Sequence, residues 1–453
     1  MKRNLTLFAL GVAAALAPSA VMAKDPALSA QADRVADNYM TAPIAGMTIA
    51  IARPGEPVLV RAYGYADLEA RRPMQADSRF EIGSITKQFT AAAVLRLSED
   101  ARLSLASPVS DYFPELAAAA QGATIEHLLR HSSGLSSARV AEDLTAPLDP
   151  SAVVAFVAGH APEFAPGERY RYNNNGYILL GLVAEKVTGK PFSEHLSETF
   201  FTPLGLSATG VCEAGDRVER LPSYLPPARD GDVFRRAPSH HPSAGFSAGL
   251  LCSTAGDIAR WSQALANGRV VSAESLSAMT TPSTGKEGVR TNYGMGMEIG
   301  REGDALHHYH GGATSGFFAQ SGYWPADGTS VVVLTNGAYA GSLLERIEAD
   351  LHRASLGDAP TYAARTVAEP ARYEGEYELA GLSIAIYSQG GYLRMEPKGQ
   401  APTRLLVGAD GEFVAEHDPA IQVRFAIGAS DKAESLTIVR NGSAMPPALR
   451  AAS

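Results

Sequence analysis

Apolar residues fall in two rhythms along this chain, and the rhythm changes near residue 373. Gly46 to Ala52 (Gly-Met-Thr-Ile-Ala-Ile-Ala) and residues 58–64 read as paired strands, joined by Arg53-Pro54-Gly55-Glu56-Pro57. In 88–97, Phe89, Ala92, Ala93, Leu95 and Leu97 are apolar and no Gly or Pro interrupts, so a helix is predicted. Thr124 is placed to cap a helix through Arg130. Further helices are predicted over 177–187, stopped by Gly189 and Pro191, over 258–266 and over 343–356. Val331 to Leu334, four consecutive apolar residues, reads as a buried strand.

Residues 355–373 carry Gly357, Pro360 and Pro370 and read as a linker. Beyond them the period becomes two. Leu382-Ser383-Ile384-Ala385-Ile386-Tyr387 alternates, Gly390-Gly391 turns, and 392–396 returns. Asp410-Gly411 is a second hairpin signal before 412–416, and 421–427 and 435–440 read as further strands. This is a small all-β module, a sandwich or a barrel. At the other end, Lys2 and Arg3, the apolar run 5–16 and Val21-Met22-Ala23 make a signal peptide. The run is too short to span a bilayer, and no integral membrane segment is expected once it is removed. The expected division is therefore signal peptide 1–23, main domain 24–356, linker 357–372 and β module 373–453, in a periplasmic or secreted protein.

Composition narrows the function. With 453 residues, 45% apolar and 19% charged, the chain is that of a soluble globular protein with room for a large core. A net charge of −9, with no cluster of Lys or Arg to offset it, argues against nucleic acid as a partner. Cys212 and Cys252 are the only cysteines; in an oxidising compartment they suggest one disulfide, and the alternative is two buried thiols. His307, His308 and His310 cluster, but their spacing on a strand gives a zinc site little support, so no metal and no cofactor are expected.

The candidate chemistry begins at Ser84-Ile85-Thr86-Lys87. A serine and a lysine three apart share one face of a helical turn, where the amine can take the serine proton. At the N-terminus of the helix that follows, free N–H groups favour a developing oxyanion. Alone the motif is weak, since a serine there is usually a cap, and Ser283-Thr284-Gly285-Lys286 matches it in a loop. Two further motifs support it: Tyr172-Asn173-Asn174, and His310-Gly311-Gly312 followed by Ala313.

Ser-x-x-Lys, Tyr-x-Asn and His-x-Gly in that order resemble the group of class C serine β-lactamases, D,D-peptidases and family VIII esterases. Glu81-Ile82-Gly83, the run His127 to Leu135 and the run Ala248 to Ala259 are similar too, and the resemblance extends from about Asp33 to Leu351. It implies an α+β fold, an antiparallel sheet flanked by helices plus a helical subdomain, with a lipocalin-like β module as its tail. It also implies roles. Ser84 is the nucleophile and Lys87 its partner. Tyr172 is general base in acylation and acid toward the leaving group, with Lys87 favouring its phenolate or sharing its proton. Asn174 bonds Lys87 and the substrate amide. His310 lines the cleft and faces the substrate carboxylate or Tyr172. Gly312 belongs to the third motif, and Ala313 supplies the second oxyanion N–H beside that of Ser84. In Tyr172-Asn173-Asn174 the middle residue is larger than the family's usual one.

A competing nucleophile is Ser247 in Gly245-Phe246-Ser247-Ala248-Gly249, an elbow-like motif whose triad would be Ser247, Asp257 and His310. It lacks the strand that must precede an elbow. The expected function is thus an exported serine hydrolase that cleaves small esters, amides or peptides, peptidoglycan fragments among them, through an acyl-enzyme. The alternatives are a class C-type β-lactamase and a non-catalytic penicillin- or peptidoglycan-binding protein. Because a histidine near pKa 6.5 replaces a permanently charged lysine in the third motif, β-lactam turnover is expected to be feeble and to improve toward pH ~6.

Overall fold

The computed structural model describes residues 25–451, except 41–44, 142–143, 213–220, 226–233, 250, 287, 289–290, 303, 338–340, 359–361, 364–366, 380, 390–391, 401, 409–411, 417 and 441–442. The signal peptide and the Gly390-Gly391 and Asp410-Gly411 turns lie outside the described residues.

Helix α1 (Pro26–Met40) precedes strands β1 (Gly46–Ala52), β2 (Leu59–Asp67) and β3 (Arg72–Pro73). Next come helices α2 (Thr86–Glu99), α3 (Ile125–Leu129), α4 (Asn174–Thr188) and α5 (Ala255–Ala266). Strands β4 (Glu298–Glu302), β5 (Ala305–Ala313), β6 (Phe318–Trp324) and β7 (Thr329–Thr335) follow, and α6 (Gly341–Ser355) closes the domain. The seven strands form one sheet in the order β3-β2-β1-β7-β6-β5-β4. Chain-distant strands meet at its centre, where β1 pairs antiparallel with β7, Ile49 opposite Val333.

Both faces of that central pair are covered, which explains its continuous apolar sequence. Met47, Ile49, Ile51, Val331 and Val333 pack under α1 and α6 with Leu28, Val35, Leu344 and Ile347. Ala50, Val332 and Leu334 face the other way, into a larger core with Phe89 of α2, Trp261 of α5 and Leu179 of α4. Local signals fix the helix ends. Thr124 Oγ1 accepts the His127 N–H, and Gly189 ends α4 in the left-handed region at φ 73°.

The C-terminal strands are β8 (Gly375–Leu379), β9 (Leu382–Gln389), β10 (Tyr392–Pro397), β11 (Thr403–Gly408), β12 (Phe413–Ala415), β13 (Asp418–Ile427), β14 (Ala433–Arg440) and β15 (Ala448–Arg450). They run β11-β10-β9-β8-β15-β14-β13-β12, and a β11–β12 pairing closes an eight-stranded barrel. Of the two expected forms, sandwich and barrel, the barrel is the one found. Its interior is filled by Tyr377, Ile386, Leu393, Met395, Leu405, Phe413 and Val423. The expected linker is not a plain loop: Tyr362–Ala363 pairs antiparallel with Val407–Gly408 of β11. Arg404, 2% exposed, donates to Asn38 O of α1 at 3.3 Å and so ties the barrel to the main domain.

Candidate active site

Ser84 sits in the 3₁₀ turn Gly83–Ile85 that leads into α2, and Lys87 follows one turn later. Lys87 Nζ lies 2.9 Å from Ser84 Oγ. The lysine is completely buried, and burial holds its amine well below the usual lysine range. Its other polar partner is a carbonyl: Nζ donates to Ala248 O at 2.8 Å. The sequence pattern assigned that place to Asn174. Asn174 instead starts α4 with an exposed side chain that lines the cleft, so the expected Lys87–Asn174 bond gives way to the Ala248 carbonyl.

Tyr172 is half-buried beside Ser84, and its ring centroid is 4.8 Å from Lys87 Nζ. Burial raises the phenol above its ordinary value. Of the two expected effects of Lys87, favouring the phenolate and sharing its proton, this burial suits the second. Burial disfavours the charged form of each group, so the neutral amine and the neutral phenol are the favoured pair. Asn173, unusually large for its place, earns it by capping α4: its Oδ1 accepts from Gly176 N at 3.3 Å and its Nδ2 donates to Leu135 O at 2.8 Å.

Two glycines let the end of β5 close on the serine turn. Gly83 has φ 51°, and a Cβ on it would lie 2.7 Å from Ala313 N; one on Gly312 would lie 2.0 Å from Ile82 O. Ser84 and Ala313 consequently line one cleft of about 370 Å³, together with Glu81, Arg139, His241 and an apolar wall that includes Val140, Leu144, Leu148 and Ile178. Cys212 is also on its wall, and Cys212 and Cys252 are joined, with Cα atoms 5.1 Å apart.

His310 does not face the cleft as expected. It is 1% exposed; Nδ1 donates to Gly311 O at 2.6 Å and Nε2 accepts from the Tyr293 hydroxyl at 3.0 Å. Its ring stands 6.3 Å from that of Tyr172. Burial, assisted by Lys87, pushes its pKa down to about 3. The reason is topological. Within β5, His310 points into the helical core beside Tyr293, while His307 stacks on Trp324 at 4.2 Å on the α6 side. His308 lines a separate pocket with Met297 and Tyr323. Among the described residues no group of three or more His, Cys, Asp or Glu is arranged to hold a metal.

The elbow alternative fails on geometry. Ser247 is fully buried and donates to Tyr177 O at 2.8 Å, while Asp257 accepts from Ala208 N and Thr209 Oγ1. The segment serves the lysine instead. Phe246 has a left-handed φ of 35°, and Thr90 Oγ1 donates to Ser247 O at 2.6 Å, next to the carbonyl that Lys87 uses. The second Ser-x-x-Lys is likewise apart from the cleft: Ser283 Oγ meets Thr291 Oγ1 at 2.9 Å and Lys286 is exposed. Tyr293 carries no motif that marks it from sequence, and the segments that include Ala248 do not single out its carbonyl.

No helix among the described residues is long and apolar enough to cross a membrane. Known proteins extend these observations. Penicillin-binding protein 4* of Bacillus subtilis (strain 168) is 25% identical over 443 residues, which span 87% of this chain and 93% of that one. D-aminopeptidase of Brucella anthropi is 26% identical over 386 residues, 81% of this chain and 70% of that one. The crystal structure of D-amino acid amidase from Ochrobactrum anthropi SV3, complexed with L-phenylalanine amide, superposes with a TM-score of 0.65 at 26% identity, covering 73% of this chain and 99% of that one. The Beta-lactamase family model matches residues 32–355. Since that match runs from within α1 to the end of α6, and so encloses the sheet and the cleft, the chain belongs to the Beta-lactamase family and is a serine hydrolase.

Proposed function

We propose that this chain is an exported amidohydrolase and esterase that acylates Ser84 with small D-amino-acid amides, esters or short peptides. The observation that carries the reading is the buried Lys87 amine 2.9 Å from Ser84 Oγ. A neutral amine there accepts the serine proton as Oγ bonds the carbonyl carbon. The oxyanion forms beside the backbone N–H groups of Ser84 and Ala313. The neutral Tyr172 phenol, beside Ser84, gives its proton to the leaving nitrogen or oxygen as the C–N or C–O bond breaks, and recovers one through Lys87. Water then releases the acyl group by the reverse proton path. The substrate class is supported by the D-aminopeptidase and D-amino acid amidase likenesses and by the apolar wall of the cleft, which suits one side chain. Export rests on the basic start and apolar run before Ala23.

A second reading has its own observation. Arg139 is exposed and lines the cleft, so a carboxylate-bearing peptide or β-lactam has a cation to meet there, although His310 supplies none. One set of assays separates the readings. A fluorophosphonate is expected to add to Ser84 in intact-mass and peptide-mapping experiments, and D-phenylalanine amide to turn over faster than nitrocefin. An adduct on Ser247 would overturn the mechanism. Faster nitrocefin turnover would favour the β-lactamase, and a lasting adduct without turnover a binding protein.

A further inference from the structure

His131 lies outside the three motifs, yet it touches the tyrosine segment at three places. Its carbonyl accepts the Arg171 N–H at 2.8 Å. Its ring Nδ1 accepts the Asn173 N–H at 3.0 Å. Its imidazole centroid lies 4.3 Å from that of Tyr172, and 4.7 Å and 4.9 Å from those of Tyr293 and Tyr177. The N–H groups of the two residues on either side of Tyr172, Arg171 and Asn173, are thus both held by one residue, with the ring nitrogen acting as a second carbonyl would.

The arrangement carries costs that a spacer would not need. His131 has φ 55°, in the left-handed region that residues other than glycine seldom occupy. Because Nδ1 accepts an N–H, the ring proton sits on Nε2, and that atom is buried without a hydrogen-bond partner. A buried unpaired donor is destabilising, so its retention points to work done elsewhere on the ring. The ring also stays neutral, because burial holds its pKa well below the usual histidine range.

We propose that His131 is a positioning residue, which fixes the backbone on both sides of Tyr172 and thereby sets the phenol against Ser84. The inference rests on Tyr172 carrying the proton at Ser84. Misplacing a reacting group by about an ångström is enough to cost ~10²-fold in rate.

Two variants that both suit the left-handed backbone test it. His131→Gly removes ring and acceptor; His131→Asn keeps an acceptor oxygen near the Nδ1 position. With D-phenylalanine amide or a p-nitrophenyl ester, His131→Gly is expected to lower kcat by ~10²-fold with KM little changed. His131→Asn is expected to recover most of that loss. In the Tyr172→Phe background, His131→Gly is expected to cost little more, since both changes remove one function. A near wild-type kcat in His131→Gly, or the same full loss in the Tyr172→Phe background, overturns the inference. So does a fall in thermal stability that tracks the kcat loss and is not reversed by His131→Asn. A wild-type rate in Tyr172→Phe itself overturns the reading of Tyr172 and this inference with it; a low rate there with an active His131→Gly overturns the inference alone.

Discussion

His310 accepts the Tyr293 hydroxyl through Nε2 at 3.0 Å, out of reach of the cleft. Its pKa of about 3 means that the folded protein cannot protonate it between pH 3 and 6.5, whereas the unfolded chain can. Stability from this group is complete above about pH 6.5 and is lost as pH falls toward 3. The stability advantage of wild type over His310→Gln should therefore shrink between pH 7 and pH 4, measured by urea unfolding. A constant advantage would show that the ring titrates normally. The same burial withdraws the earlier expectation that β-lactam turnover improves toward pH 6, because His310 gains no charge there.

Lys87 sets the pH dependence of the reaction instead. Since burial holds its amine below the ordinary 10.5, kcat/KM should rise to its plateau with a midpoint well below that value. Lys87→Met should lower kcat by ~10²–10⁴-fold, and Tyr172→Phe by a loss in the same range. A wild-type midpoint near 10 in the pH profile would mean that the resting amine is charged.

Gly312→Ala should be far more damaging than one methyl group suggests. The new Cβ would stand 2.0 Å from Ile82 O and 3.2 Å from Ser84 N, so the end of β5 must move away from the serine turn. That motion withdraws the Ala313 N–H from the oxyanion, and losing one such donor typically costs ~10²–10³-fold in kcat. Pre-steady-state acylation by an activated ester measures it; an unchanged acylation rate would exclude Ala313 from the oxyanion site.

The Cys212–Cys252 bond joins residues 40 apart. By loop entropy it contributes ~4 kcal/mol. Cys252 also pairs with Glu81, three residues before Ser84, so the bond braces the approach to the nucleophile. Thiol counting on the unreduced, denatured protein should find no free thiol. Cys212→Ser with Cys252→Ser should lower the melting temperature markedly, and an unshifted melt would show that the crosslink is dispensable.

The amino-acid sequence by itself determined whatever depends on neighbours along the chain. Helix and strand periods marked α2, α4, α6, β1 and β7, and i, i+3 spacing put Lys87 against Ser84. Helix α1 was less legible, because its buried Ala32 and Ala36 give weak apolar contrast. Only the tertiary structure decided which groups meet from afar. It set Ala248 O, not Asn174, on Lys87, and it turned His310 inward onto Tyr293. It placed His131 against Tyr172, and it brought the two ends of the β module together by pairing β8 with β15. The physical reason is common to all four. Burial, pKa and hydrogen-bond partner are properties of the packed surroundings, supplied by segments tens to hundreds of residues away, and no local pattern encodes them.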